Sequence, residues 1–295
     1  MIDTFLAGAD WAEPPAIMSF ESSFGSLLDE VGLLVAELRA VERGAAGSSA
    51  HCRRAEEDGL AAAKLYLRVP ALINVILNYK ICTEHGLPLH PTVYYELKEA
   101  RRYRMEHPIE AIESANRLFR ESIELSRAAY RLDPAWEESA EAFRSRLPKE
   151  VPAFIYTGGG DKYTWRASEP ARIKAMAGKV ESGFRPELIV AAAHGSIIPA
   201  LLLAEYLSIP LYFIRFSMFK RSDEEPIVSI ADEAWLAAWR DARVLVFDED
   251  VAKGTTLELF SRRMARLFIT TRSTCVIRHA GSSIKPDYYA SVWWD

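Results

Sequence analysis

Three acids stand in a row at Asp248, Glu249 and Asp250, directly after the apolar run Val244 to Phe247. A turn of small and hydroxyl-bearing residues follows, Ala252, Lys253, Gly254, Thr255 and Thr256, and then the apolar spacing of a helix begins. A short, continuous apolar run bounded by turn signals reads as a buried parallel strand. Carboxylates at its carboxyl end, beside a Gly/Thr turn at a helix start, set acid groups next to a backbone anion site. Such a site can hold a sugar diol and a phosphate together, the chemistry of a phosphorylated ribose. The plainer alternative is an ordinary strand with an acidic end and a Thr-capped helix.

The elements that must position these residues change character along the chain. Residues 1–148 read as an all-helical domain, with an apolar stripe at Leu27, Val31, Leu34, Val35 and Leu38. The Ala/Leu/Ile-rich segment Gly59 to Cys82 predicts two helices joined near Pro70. Pro91-Thr92 predicts the start of a long charged helix, Pro108 a further helix, and Asp133-Pro134 a last one. The basic residues Arg101, Arg102 and Arg104 alternate with Glu96, Glu99 and Glu106, the pattern of a solvated, ion-paired face. The histidines of this half lack metal-ligand spacing.

From Pro148 onward strands alternate with helices, the βαβ pattern of a parallel sheet, so residues 149–295 form a second domain. A strand is expected at Ala153 to Tyr156, leading into the Gly-rich turn Thr157 to Tyr163, which lacks P-loop spacing and reads first as an ordered loop. Strand Leu188 to Ala192, the turn Ala193-His194-Gly195-Ser196 and helix Ile198 to Leu207 make a second anion site through amides at a helix N-terminus. The bland reading of this turn is a tight connection with a partly buried histidine. Strand Leu211 to Phe216 leads to Arg215, Lys220 and Arg221, and Ile227 to Ile230 is the expected return strand.

Together these stretches resemble the type I phosphoribosyltransferases. Val244 to Thr256 looks like that family's motif for 5-phosphoribosyl diphosphate (PRPP), Ala193 to Ser196 like its pyrophosphate loop, and His279, Ser282, Ser283 and Lys285 to Tyr289 like the tail of hypoxanthine- and xanthine-type enzymes. The resemblance implies an α/β fold, a phosphoribosyltransferase-like parallel sheet with helices on both faces, preceded by the all-α domain. It implies transfer of 5-phosphoribosyl from PRPP to a nitrogenous acceptor, a purine-like base first, with release of pyrophosphate. Asp248 and Glu249 would hold the ribose and Mg²⁺, with Asp250 as an additional acid. Ala252 to Thr256 would hold the 5′-phosphate, and His194, Gly195, Ser196, Arg215, Lys220 and Arg221 the pyrophosphate. Lys285, Tyr288 and Trp293 would hold the acceptor. Two departures stand out: His194 replaces the family's usual cation, and Ala252 replaces a carboxylate found in some purine enzymes. A regulatory PRPP- or nucleotide-binding protein, or an enzyme with an unusual acceptor, are the alternatives.

Bulk properties set the remaining expectations. At 295 residues, 49% hydrophobic and 26% charged, the chain suits one large or two ordinary globular domains. A net charge of −5 argues against a general nucleic-acid binder. Cys52, Cys82 and Cys275 are scattered, and the N-terminal segment carries acids and no basic region, so a reduced cytoplasm is expected. The apolar stretches 60–79 and 188–207 are interrupted by charged residues, His, Gly or Pro, so no membrane span is expected. A homo-oligomer is expected.

Overall fold

The computed structural model describes residues 1–44, 51–218, 221 and 223–294, and within 51–55 the backbone alone. The chain divides into two compact units: residues 1–10 with 14–160, and residues 11–13 with 161–295.

The first unit is built on helices α1 (Phe24–Gly44), α2 (His51–Glu84), α3 (Ile109–Arg131) and α4 (Trp136–Arg144). In α1 the buried positions Leu27, Val31, Leu34, Val35 and Leu38 form the expected stripe. Instead of two helices, α2 is continuous through Pro70. Proline lacks the N–H that would bond the carbonyl four residues earlier, here that of Tyr66. The buried Tyr130 hydroxyl donates to that carbonyl at 2.8 Å, so the broken bond is replaced from α3. Residues 56–84 are long and apolar enough to cross a membrane by length and composition, contrary to the expectation above, and 83% of the most apolar window is buried within the protein. The expected helix after Pro91 reduces to one 3₁₀ turn, Leu97–Arg101, capped reciprocally by Glu96 and Glu99. None of its residues is buried, so no apolar face stabilises a longer helix there.

This unit is also not wholly helical. Strand β1 (Phe20–Ser23) pairs antiparallel with β2 (Ile155–Gly158), matching Phe20 to Gly158 and Ser23 to Ile155. That ladder holds 149–160 in the first unit, which moves the border from the expected 148/149 to 160/161.

The second unit opens with α5 (Lys162–Ala167) and α6 (Pro170–Gly183). Its sheet contains β3 (Leu188–Ala193), β4 (Leu211–Arg215), β5 (Arg243–Val251), β6 (Thr270–His279) and β7 (Tyr288–Trp293). The order is β4-β3-β5-β6-β7, parallel throughout. All of β3 is buried, as the continuous apolar run requires of a central strand. Helix α7 (Ile197–Leu207) links β3 to β4, and α9 (Thr255–Met264) links β5 to β6 in the opposite direction. Right-handed crossovers therefore put α7 and α9 on opposite faces. The direction of winding reverses between β3 and β5, where open α/β sheets bind ligands at the carboxyl ends of the strands. The expected return strand after β4 is a single bridge, Arg215 to Ile227, followed by α8 (Ile230–Leu236).

Candidate functional site

The register sets the site. Asp248 lies opposite Cys275, and Val251 opposite Arg278, so His279 at the end of β6 lies beside the acids ending β5. On the other side Ala191 pairs with Phe247, which brings the turn after β3 alongside Asp248 and Glu249. Around these strand ends lies a cavity of about 850 Å³.

Asp248 is 6% exposed. Burial, the neighbouring Glu249 charge and a hydrogen bond to the Glu249 side chain hold its carboxyl well above the usual range. The buried Ser196 hydroxyl donates to Glu249 Oε2 at 2.7 Å and lies 3.3 Å from Asp248 Oδ1. The Glu249 carboxylate packs so closely on the turn that any Cβ at Gly195 would collide with it. Residue 195 must be glycine for this pair to sit as it does. Asp250 faces His279, whose Nε2 is 3.1 Å from Oδ1 and 3.2 Å from Oδ2. Burial raises the Asp250 carboxyl to about 6, and the imidazole partly offsets that rise.

The turn after β5 is shaped around a glycine. Gly254 has φ +92°, and a Cβ there would lie 2.5 Å from Ile284. Both facts require glycine. Gly254 supplies no side-chain cap to α9, and Lys253, Gly254, Thr255 and Thr256 at that helix start line the cavity.

Of the residues expected from sequence, His194, Gly195, Asp248, Glu249, Asp250 and all of Ala252 to Thr256 line this cavity. Ser196 lies beneath it. Arg215 does not reach it: 1% exposed, it pairs with Asp223 at 2.9 Å, and Asp223 also accepts from the Ser217 amide. That pair closes the start of the segment after β4. Arg221 is half-buried with its amide on the Ser217 carbonyl, and Lys220 lies outside the described residues. Lys285 is exposed, and Tyr288 lies against Gly183 of α6. Trp293 lies under the Arg166 guanidinium, whose Cζ is 4.2 Å from the ring centroid. None of these three lines the cavity.

Asp161, Tyr163, Thr164, Phe216, Ser217, Met218 and His279 line it instead. Asp161 caps α5, accepting from the amides of Tyr163 and Thr164 at 3.0 and 3.2 Å. An N-cap acid directly after the Gly-rich turn was the signal available for this group. Among the described residues no three or more His, Cys, Asp or Glu side chains converge as a cage for a metal ion.

No protein-family model matches the sequence, and the comparison with curated proteins finds no match. Solved structures similar to it include a purine phosphoribosyltransferase from Pyrococcus horikoshii Ot3, 27% identical, covering 43% of this chain and 86% of that one with a TM-score of 0.36. Another is a protein from Neisseria gonorrhoeae with bound ppGpp, at 23% identity, 44% and 80% coverage and a TM-score of 0.37. The xanthine-guanine-hypoxanthine phosphoribosyltransferase of Helicobacter pylori is 19% identical, with 42% and 84% coverage and a TM-score of 0.33. Over less than half its length, in its C-terminal part, the chain is similar to purine phosphoribosyltransferases of known structure.

Proposed function

We propose that the second unit is a phosphoribosyltransferase that moves 5-phosphoribosyl from PRPP to a nitrogen of a small acceptor and releases pyrophosphate. One observation carries this reading: a carboxyl pair, Asp248 buried and Glu249 half-buried, and an uncapped helix N-terminus adjoin the same cavity at the switch point of a parallel sheet.

The 5′-phosphate would sit on the amides of Gly254, Thr255 and Thr256, with Lys253 beside it. The ribose hydroxyls would donate to Asp248 and Glu249, replacing the repulsion between those two acids with hydrogen bonds. The diphosphate would then point toward the amides of Gly195 and Ser196. In the transfer, the C1–O bond to diphosphate breaks with its electron pair leaving on diphosphate, while the acceptor nitrogen forms the C1–N bond. The proton lost from that nitrogen goes to Asp250, held in place by His279. Most of the catalysis is positioning and charge stabilisation.

The donor set suits Mg²⁺, which is held by one or two carboxylates together with substrate oxygens rather than by an all-protein cage. Asp248 and Glu249 would hold it, and when bound it would neutralise charge on the departing diphosphate.

A second reading, a PRPP- or nucleotide-binding protein without turnover, is supported by the cation supply. Lys253 is the only lysine or arginine among the described residues lining the cavity, and Arg215 is tied to Asp223. Incubation with PRPP, Mg²⁺ and a panel of bases, following pyrophosphate, separates the two. Release that requires both PRPP and a base supports transfer. Saturable PRPP binding without release supports the binder, and absence of both removes the site assignment.

A further inference from the structure

The two ends of the cavity differ in chemistry. At one end the α9 amides, Lys253 and the Gly195 turn offer N–H donors and a cation. At the other, the ends of β5 and β6 meet α5, and the wall consists of Asp250, His279, Asp161, Tyr163 and Thr164. Asp161 is pinned by two backbone amides of α5, and its charge is close enough to act on Asp250. Tyr163 remains 47% exposed, its ring centroid 6.0 Å from that of His279, so an aromatic surface stands beside the two carboxylates. Among the described residues no lysine or arginine lines this end. Lys285 and Trp293, the acceptor contacts expected from sequence, lie elsewhere.

A ring carbonyl turned between Asp161 and Asp250, away from the Tyr163 and Thr164 hydroxyls, would face two carboxylates, acceptor against acceptor. An exocyclic amino group, with two N–H bonds where the oxopurine has a carbonyl, would meet charge-assisted hydrogen-bond acceptors instead. A base that supplies the N–H gains a charge-assisted hydrogen bond that an analogue lacking it cannot make. We infer that the acceptor is a flat nitrogen heterocycle carrying an exocyclic amino group, bound between Asp161, Asp250 and the Tyr163 ring, rather than an oxopurine without one. This deepens the transfer reading and rests on it for the placement of the ribose. The purine-like acceptor expected from sequence narrows accordingly to the aminated members of that class.

The test is calorimetric titration of the full chain, with Mg²⁺ and ribose 5-phosphate present so that no transfer occurs, using adenine and 2,6-diaminopurine against hypoxanthine and xanthine. The amino bases are expected to bind about tenfold or more tightly than the oxo bases, as one or two charge-assisted hydrogen bonds dictate. Asp161→Asn keeps an α5 N-cap but replaces one carboxylate oxygen with a donor. It is expected to reduce that preference severalfold, with circular dichroism unchanged. Equal or tighter binding of hypoxanthine or xanthine, or no binding of either class, overturns the inference. Pyrophosphate release from PRPP, measured alongside, addresses transfer separately. Binding of amino bases without release would sink the transfer reading alone, and release with preferred oxo bases would sink the acceptor assignment alone.

Discussion

Lys80 and Glu84 in the helical unit, and Asp248 and Glu249 in the α/β unit, are both buried or nearly buried charged pairs, yet they serve opposite ends. The first pair joins opposite charges at 2.7 Å, with Lys80 1% exposed, and Asn116 donates to the other Glu84 oxygen at 2.8 Å. Nothing in that arrangement asks for a ligand. The second pair joins two carboxyl groups at the edge of a cavity, hydrogen-bonded to each other and to the Ser196 hydroxyl. Burying like charges costs stability unless something else supplies donors or a cation. The Lys80–Glu84 pair therefore closes on itself, whereas the Asp248–Glu249 pair opens on the cavity.

Breaking the structural pair should have the largest effect on folding. Lys80→Met leaves Glu84 buried without its ammonium partner and is expected to cost about 3–5 kcal/mol in urea unfolding. Adding Glu84→Gln should restore most of that loss. Full recovery is not expected, since Lys80 also lies 5.7 Å from the Phe119 ring centroid.

The like-charge side should show itself through pH. Asp250 titrates at about 6 in the folded protein against 3.8 ordinarily, so the folded state holds this proton more tightly than the unfolded chain does. Its contribution to stability is therefore greatest below about pH 4 and is lost as pH rises to about 6. At 1.36 kcal/mol per unit, the loss is at most roughly 3 kcal/mol. Burial of Asp248 acts in the same direction. Asp250→Asn should flatten the fall in unfolding free energy between pH 4 and 6. An unchanged slope would show that Asp250 is not buried as described.

A smaller effect is expected at Gly254. Gly254→Ala adds a Cβ at φ +92° within 2.5 Å of Ile284, and should cost about 1–3 kcal/mol in unfolding. Binding of PRPP should weaken with it, because the amides of α9 are re-aimed. Loss of stability without loss of PRPP affinity would place the phosphate elsewhere.

The α/β unit was largely legible in the sequence because its signals are local. Val244 to Phe247 reads as a buried strand, and the acids and Gly/Thr turn follow it within a dozen residues, so strand, cradle and carboxylates could be placed without tertiary information. The turn at Ala193 to Ser196 was legible for the same reason. What the sequence concealed depends on long-range partners. Pro70 reads as a break, yet Tyr130, sixty residues later, satisfies the carbonyl that Pro70 leaves unbonded. Residues 153–156 read as the first strand of the α/β unit, yet the strand formed, 155–158, pairs with 20–23. Arg215 reads as a phosphate ligand by type and position, but Asp223 neutralises it. Asp161 and Tyr163 reach the cavity by the placement of α5 beside β5, which no spacing in the sequence encodes.

The central claim is that the Asp248–Glu249 pair and the α9 N-terminus form one PRPP site. Calorimetric titration of PRPP with Mg²⁺ into the wild-type chain and into Asp248→Asn/Glu249→Gln tests it most directly. Saturable binding to the wild type, weakened by at least about tenfold in the double variant while that variant unfolds no less cooperatively, is the expected result. Equal affinity in the two proteins, or no binding to the wild type, would contradict it.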